Sequence, residues 1–160
     1  MTHTYHAALA TIIAQKKSID GIISARDKAA RVAAEEEASQ LLRCRELWRT
    51  LYLPRLQHAL HDVNEALDES GIHLRDIPQR GPAPFISSIL FVLFFDGQPE
   101  GEKLRIGFDR TGVLTVQRLD PREKLLETLP ATALDGEACG RLLTEFVSTI
   151  CAAHFAKLQA

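Results

Sequence analysis

The segment Phe85–Phe95, FISSILFVLFF, constrains this chain more than any other. It is short, aromatic and rich in branched side chains, and Asp96-Gly97 ends it, which reads as a β-strand. Its alternating sets are both apolar: Ile86, Leu90, Val92 and Phe94 on one side, Phe85, Ile89, Phe91, Leu93 and Phe95 on the other. A strand apolar on both faces has to be covered on both faces. The fold therefore needs a helical layer on one side and some further cover on the other.

A hairpin follows. Residues 103–109 and 113–119 flank Asp109-Arg110-Thr111-Gly112. Asp opens type I turns, and Gly supplies the left-handed position that closes them with a bulge. This register sets Phe108 opposite Leu114 and Ile106 opposite Val116, giving one apolar face. The other face carries Lys103, Arg105, Thr115 and Gln117. Leu125–Pro130 adds a short fourth strand.

The chain before the sheet reads as helix from Tyr5 to Ser70, being rich in Ala, Leu, Glu, Gln, Lys and Arg. Gly21 is a weak point and Pro54 a stronger one, since proline lacks the backbone donor and clashes with the preceding turn. A long helix to Tyr52 is expected, then a kink or break, then a second helix from Pro54 capped by Gly71. Leu9, Ile12, Ile13, Ile19, Ile22 and Ile23 form one apolar stripe, and Leu41, Leu42, Cys44, Leu47, Trp48 and Leu51 another. Between them RDKAARVAAEEEASQ, residues 26–40, is alanine and charge with Val32 as its one large apolar residue. Unbroken helix over residues 22–52 would run roughly 45 Å, more than a small core needs. Either the arm folds back as a hairpin or a second chain covers it. A strict heptad fails, because Lys16, Arg26, Glu37 and Gln40 fall on its seam.

Residues 72–84, with three prolines and a glycine, read as a connector. Asp135 caps a closing helix over 134–158, whose Cys139, Leu142, Leu143, Phe146, Ile150 and Ala153 share one face. The expected architecture is a single α+β domain over 1–160: a helical arm (1–71), the connector, a three- to four-stranded antiparallel sheet (85–131) and the closing helix.

Composition excludes several function classes. Nineteen basic and 21 acidic side chains give a net charge of −2, and no third of the chain is strongly polarised. Nucleic-acid binding would need a clustered basic surface. The longest apolar run, Ile89–Phe95, is far short of the roughly 20 residues of a membrane span. Lys16 and Lys17 follow rather than precede the apolar run Ala7–Ala14, unlike a secretory signal. Three widely spaced cysteines, Cys44, Cys139 and Cys151, suit reduced thiols and a cytoplasmic location.

Motifs of chemistry are sparse. In HALHDVNE, His58 and Asp62 are four apart, as are His61 and Glu65. Each pair shares a helix side, yet the register lacks two histidines four apart, and a polar helix face is the expectation. No phosphate-binding glycine loop or nucleophile elbow occurs. No catalytic group, metal or cofactor is expected. The surfaces suited to a ligand or partner are the polar hairpin face, Lys103, Arg105, Thr115 and Gln117, and the aromatic pair Trp48 and Tyr52, which serve either core or interface. These readings favour a non-enzymatic interaction module that forms a homodimer or binds another protein, with no nucleic acid and no membrane. The alternative is a small-molecule site or enzyme between sheet and helices, walled by Phe85, Phe91, Phe94, Phe95 and Phe108 and anchored by Arg105 or His73.

Overall fold

The computed structural model describes residues 2–80, 85–131 and 134–160. The chain is α+β. Helix α1 (Thr2–Leu47) passes through a π-helical turn (Trp48–Tyr52) into α2 (Leu53–Ala66). Five strands follow, β1 (Ile72–Arg80), β2 (Phe85–Phe95), β3 (Gln98–Asp109), β4 (Leu114–Leu119) and β5 (Leu125–Leu129), and α3 (Gly136–Gln159) closes the chain. Two compact units are distinguished, residues 1–40 and residues 41–160. Helix ends at Ala66 with Leu67 as its cap, short of the Ser70 end and Gly71 cap expected from the sequence, and residues 67–71 form a turn into β1.

The first unit is helix throughout its described residues, and every side chain from Tyr5 to Ser39 is exposed. Gly21 does not interrupt it, and space around its Cα is open. No hairpin fold-back occurs at that position.

In the second unit, the kink or break expected before Pro54 takes the form of a wider turn. The Leu53 amide donates to the Trp48 carbonyl, five residues back. Proline has no N–H to continue the usual ladder and crowds the carbonyl four residues earlier; the π turn opens the backbone there and lets the helix run on. Pro54 then lies in the first turn of α2, where a missing donor costs least.

The sheet is an antiparallel meander in the order β1-β2-β3-β4-β5. It has five strands rather than three or four, because residues 72–80 are a strand and not a connector. β1 pairs with β2 from Ile72↔Phe95 to Arg80↔Ser87. Its Pro78 argued against a strand, but β1 lies at the sheet's edge, where a missing donor is tolerated. Residues 81–84 of the expected connector lie outside the described residues. The β3–β4 register is Phe108↔Leu114 and Ile106↔Val116, as the sequence pattern requires. Asp109 Oδ1 accepts from the amides of Thr111 (2.9 Å) and Val113 (3.0 Å), and Gly112 takes the left-handed position at φ 81°. β3 begins at Gln98, earlier than expected, because Asp96 (φ 49°) and Gly97 (φ 83°) make a two-residue hairpin turn of the type whose twist matches the strands.

One face of the sheet carries the main core. Phe91, Leu104, Ile106 and Val116 are fully buried there with Leu56 of α2 and Cys139 and Leu143 of α3. Asp135 caps α3, its Oδ1 accepting from the Ala138 amide at 2.8 Å. A second, smaller cluster, Leu90, Val92 and Leu119 with Phe94 against it, lies on the opposite face.

Candidate functional site

That opposite face gathers the polar side chains singled out in the hairpin. Arg105 pairs with Gln117 and Gly107 with Thr115 across the β3–β4 ladder, while Lys103 pairs with Leu119, so all four polar residues share it. They are not an open polar surface. The side chains of Lys103 and Arg105 are only 23% and 11% exposed. Lys103 Nζ and Arg105 Nη2 each lie 3.4 Å from a carboxylate oxygen of Glu123. Glu123 holds a left-handed backbone (φ 64°) in a turn where Asp120 Oδ1 accepts from the Arg122 and Lys124 amides at 2.9 and 2.8 Å. The turn thereby delivers one carboxylate to two cations.

These cations also solve the covering problem of β2. The Arg105 guanidinium lies 5.3 Å from the Phe85 ring centroid and Arg75 of β1 lies 4.5 Å over Phe94. Long aliphatic stems cover apolar surface while their charged ends reach solvent. Leu90 and Val92 are thus 1% and 4% exposed without a second layer of secondary structure among the described residues. The contact also moves Phe85. The β2–β3 register shifts between Phe85 and Ser87, and the bulge sends Phe85 to the face of Arg105, opposite to the alternation read from the sequence. Gly107 is needed on this face, since a Cβ there would meet the Ser87 carbonyl oxygen at 2.3 Å. Ser88, 3% exposed, keeps a hydroxyl without a hydrogen-bond partner among the described residues.

Thr115 bonds the Val113 carbonyl (3.3 Å) and reaches Asp109 Oδ2 at 3.5 Å. Burial pushes the Asp109 carboxyl up, but hydrogen bonds from Thr111, Val113 and Thr115 outweigh it, and its pKa lies below the ordinary value. Trp48 and Tyr52 are packed on the other face of the sheet. Their rings meet the Phe108 ring edge-on, with centroids 6.4 and 5.5 Å away, and Trp48 is 7% exposed. The structure therefore separates the two groups of candidate residues onto opposite faces.

The aromatic walls of the expected pocket are separated likewise. Phe91, Phe95 and Phe108 belong to the helix-side core, Phe94 to the opposite cluster, and Phe85 sits with Arg105. A cleft of about 210 Å³ does exist between the sheet and α3, lined by Leu104, Arg118, Leu129, Leu142, Glu145 and Phe146 among others. Its Arg118 is already engaged by Glu102 (2.7 Å) and Glu127 (3.0 Å), and the first of these hydrogen bonds leads in raising its pKa.

His58–Asp62 and His61–Glu65 are solvent-exposed i,i+4 pairs at 3.4 and 3.9 Å, and the described residues hold no group of three or more metal-ligating side chains. Cys139 and Cys151 have thiol pKa values raised by burial, which opposes nucleophilic use. No described helix is long and apolar enough to cross a membrane.

Sequence reasoning missed two positioning residues. Asn64 of α2 donates to the Leu74 carbonyl and accepts from the Leu74 amide, both at 2.8 Å, so one side-chain amide pairs the edge strand as a neighbouring strand would. His154 of α3 stacks on Phe95, with rings 3.9 Å apart and 7° from parallel, and its Nδ1 lies 3.1 Å from Glu100. Neither has a local sequence signal, since both partners come from other elements.

Comparison with protein families, curated proteins and solved structures finds no match to this chain.

Proposed function

We propose that this protein is a non-enzymatic interaction module that self-associates through α1. One observation carries the reading: seven large apolar side chains of α1, from Tyr5 (70% exposed) to Ile23 (50%), lie uncovered on one stretch of helix. Exposed apolar surface of that extent marks association surfaces on soluble proteins, and symmetric pairs are the commonest assemblies. The polar sheet face is a weaker candidate for a partner, because Glu123 already holds its two cations. The cleft beneath α3 is smaller than the roughly 300 Å³ at which small-molecule pockets begin. Three free cysteines suit a reducing, cytoplasmic setting. Neither a cofactor, a nucleic acid nor a membrane enters the reading.

Sedimentation velocity of the full chain tests it. The expected result is a concentration-dependent dimer that Ile12→Glu with Ile19→Glu reduces to monomer without changing the near-ultraviolet signal of Trp48. A native chain that stays monomeric at about 100 µM, far above the Kd of a specific interface, contradicts it.

A further inference from the structure

We infer that α1 pairs antiparallel with α1 of a second copy of this chain, centred on Ala14, with Leu9 against the partner's Ile19 and Tyr5 against the partner's Ile23. This rests on the self-association proposed above and adds its direction and register.

Leu9, Lys16 and Ile23 define the a positions of a heptad, and Tyr5, Ile12 and Ile19 the d positions. In residues 5–25 all seven large apolar residues then fall at a, d or the flanking e and g positions, where Ile13 and Ile22 sit. The b, c and f positions hold only alanine, serine, threonine, glycine and lysine. That is a one-sided seam, flanked on both edges, and it is exposed along its length: Leu9 55%, Ile12 58%, Ile19 55%. Each such side chain offers somewhat under 100 Å² of apolar surface. Fourteen of them from two chains reach the order of 1,000 Å², the threshold for a specific pair.

Charge sets the direction. In a parallel, in-register pair every seam residue meets its own copy. Lys16 would face Lys16, and farther along the same frame Arg26 would face Arg26 and Glu37 would face Glu37, three layers of like charge in one seam. An antiparallel pair matches a with d, so no seam residue meets itself. Lys16 then lies along the partner's Ile12, its stem covering apolar surface and its ammonium held outward by Asp20 at 2.9 Å.

The register follows from what each alternative buries. Centred on Ala14, the pair places Tyr5, Leu9, Ile12, Ile19 and Ile23 in six layers whose only polar member is Lys16, and brings Ile13 beside its own copy. A shift of one heptad toward the C-terminus sets Arg26 against the partner's Leu9 and leaves Tyr5 on Ala30. A shift the other way sets Ile19 against the partner's Thr2 and Lys16 against its Tyr5, so fewer apolar side chains meet.

Cysteine cross-linking in the full chain tests this, with Cys151→Ser as background, Cys44 and Cys139 being buried. Leu9→Cys and Ile19→Cys chains, mixed and mildly oxidised, should give the mixed disulfide dimer in at least tenfold excess over either self-linked dimer. Tyr5→Cys mixed with Ile23→Cys should behave alike. Self-linked dimers from each variant alone would overturn the direction while leaving self-association through α1 intact. A dimer by sedimentation that links at neither pair would overturn the seam itself. A monomer at about 100 µM would overturn the underlying reading.

Discussion

Along α1 from Tyr5 to Ser39 every side chain is exposed, whereas along α2 Leu56 and Ala59 are buried and Leu53, Leu60 and Val63 are half-buried. Both stretches are helical, but different forces hold them. The first is stabilised by its own backbone ladder, its alanine-rich composition and weak pairs such as Lys16–Asp20, each worth a few tenths of a kcal/mol. The second is held by packing against the sheet, which is where most helical stability in proteins arises. The contrast separates two uses of apolar residues. Isoleucines in α1 stay exposed, and the self-association proposed above is what would cover them. Leucines in α2 are consumed by the core.

The largest test of this contrast is a pair of truncations. Phe108 is 5% exposed and receives the edges of Trp48 and Tyr52, so Phe108→Ala should cost about 3–5 kcal/mol. Ile12→Ala should move the same urea transition by less than about 0.5 kcal/mol, when it is followed by fluorescence of the chain's one tryptophan, Trp48, under monomeric conditions. Similar losses from both would mean that residues 1–40 and 41–160 unfold as one body.

Asn64→Ala tests the next level, a polar contact inside the packed unit. It leaves the Leu74 amide and carbonyl, on a buried residue, without their 2.8 Å partners. Two lost hydrogen bonds should cost about 2 kcal/mol. Amide exchange should rise first in β1, whose outer edge loses both hydrogen bonds at Leu74 and keeps the one from the Ile72 amide to the Ser70 hydroxyl. An unchanged β1 with a lower global midpoint would show that Asn64 acts on α2 alone.

What could be read ahead of the structure was what local chemistry decides. The β3–β4 register follows from Asp109 and Gly112, the start of α3 from Asp135, and the polar set Lys103, Arg105, Thr115 and Gln117 from simple alternation. The fifth strand was hidden because Pro78 breaks the usual rule except at an edge, and edge position is a property of the whole sheet. Phe85 was put on the wrong face because a bulge is a response to the partner strand. The further cover that the strand needed on the face of Leu90 and Val92 had no local signal, because Arg75 and Arg105, lying over Phe94 and Phe85, come from the neighbouring strands. Trp48 and Tyr52 were legible as important but not as facing Phe108, since that contact spans some sixty residues and depends on the π turn that Pro54 provokes. The apolar stripe from Leu9 to Ile23, in contrast, was visible in the spacing of its isoleucines, and its side chains are exposed.

A smaller effect belongs to the turn of the β3–β4 hairpin. Asp109 has a carboxyl pKa below the ordinary 3.8 because hydrogen bonds to its charged form outweigh the effect of burial. A depressed folded pKa means that the group adds stability above its unfolded pKa and loses that contribution as pH falls through the folded value. Asp109→Asn should therefore lower the urea midpoint by a constant amount above about pH 5. The gap to the native chain should shrink as pH falls below 3.8. The effect should be confined to the Trp48-reported transition, because the turn lies within residues 41–160. A gap independent of pH would mean that the hairpin needs the shape of the side chain and not its charge.

The smallest expected change in that transition comes from Gly21→Ala, and for that reason it divides the two regions most cleanly. Gly21 sits inside α1 with nothing within 4 Å of an added Cβ, so alanine fits without strain. Glycine in a helix interior costs about 1 kcal/mol relative to alanine, partly through the freedom of the unfolded chain. In α2, a gain of that size would be shared with the whole cooperative core. In residues 5–39, where no side chain is buried, it should stay local: amide exchange over about one turn on either side of residue 21 should slow roughly fivefold, and helical ellipticity should persist to higher temperature. The Trp48 fluorescence midpoint should not move. If it rises by the equivalent of the full 1 kcal/mol, α1 draws on the stability of the folded unit, and the exposed seam has a covering surface within the same chain.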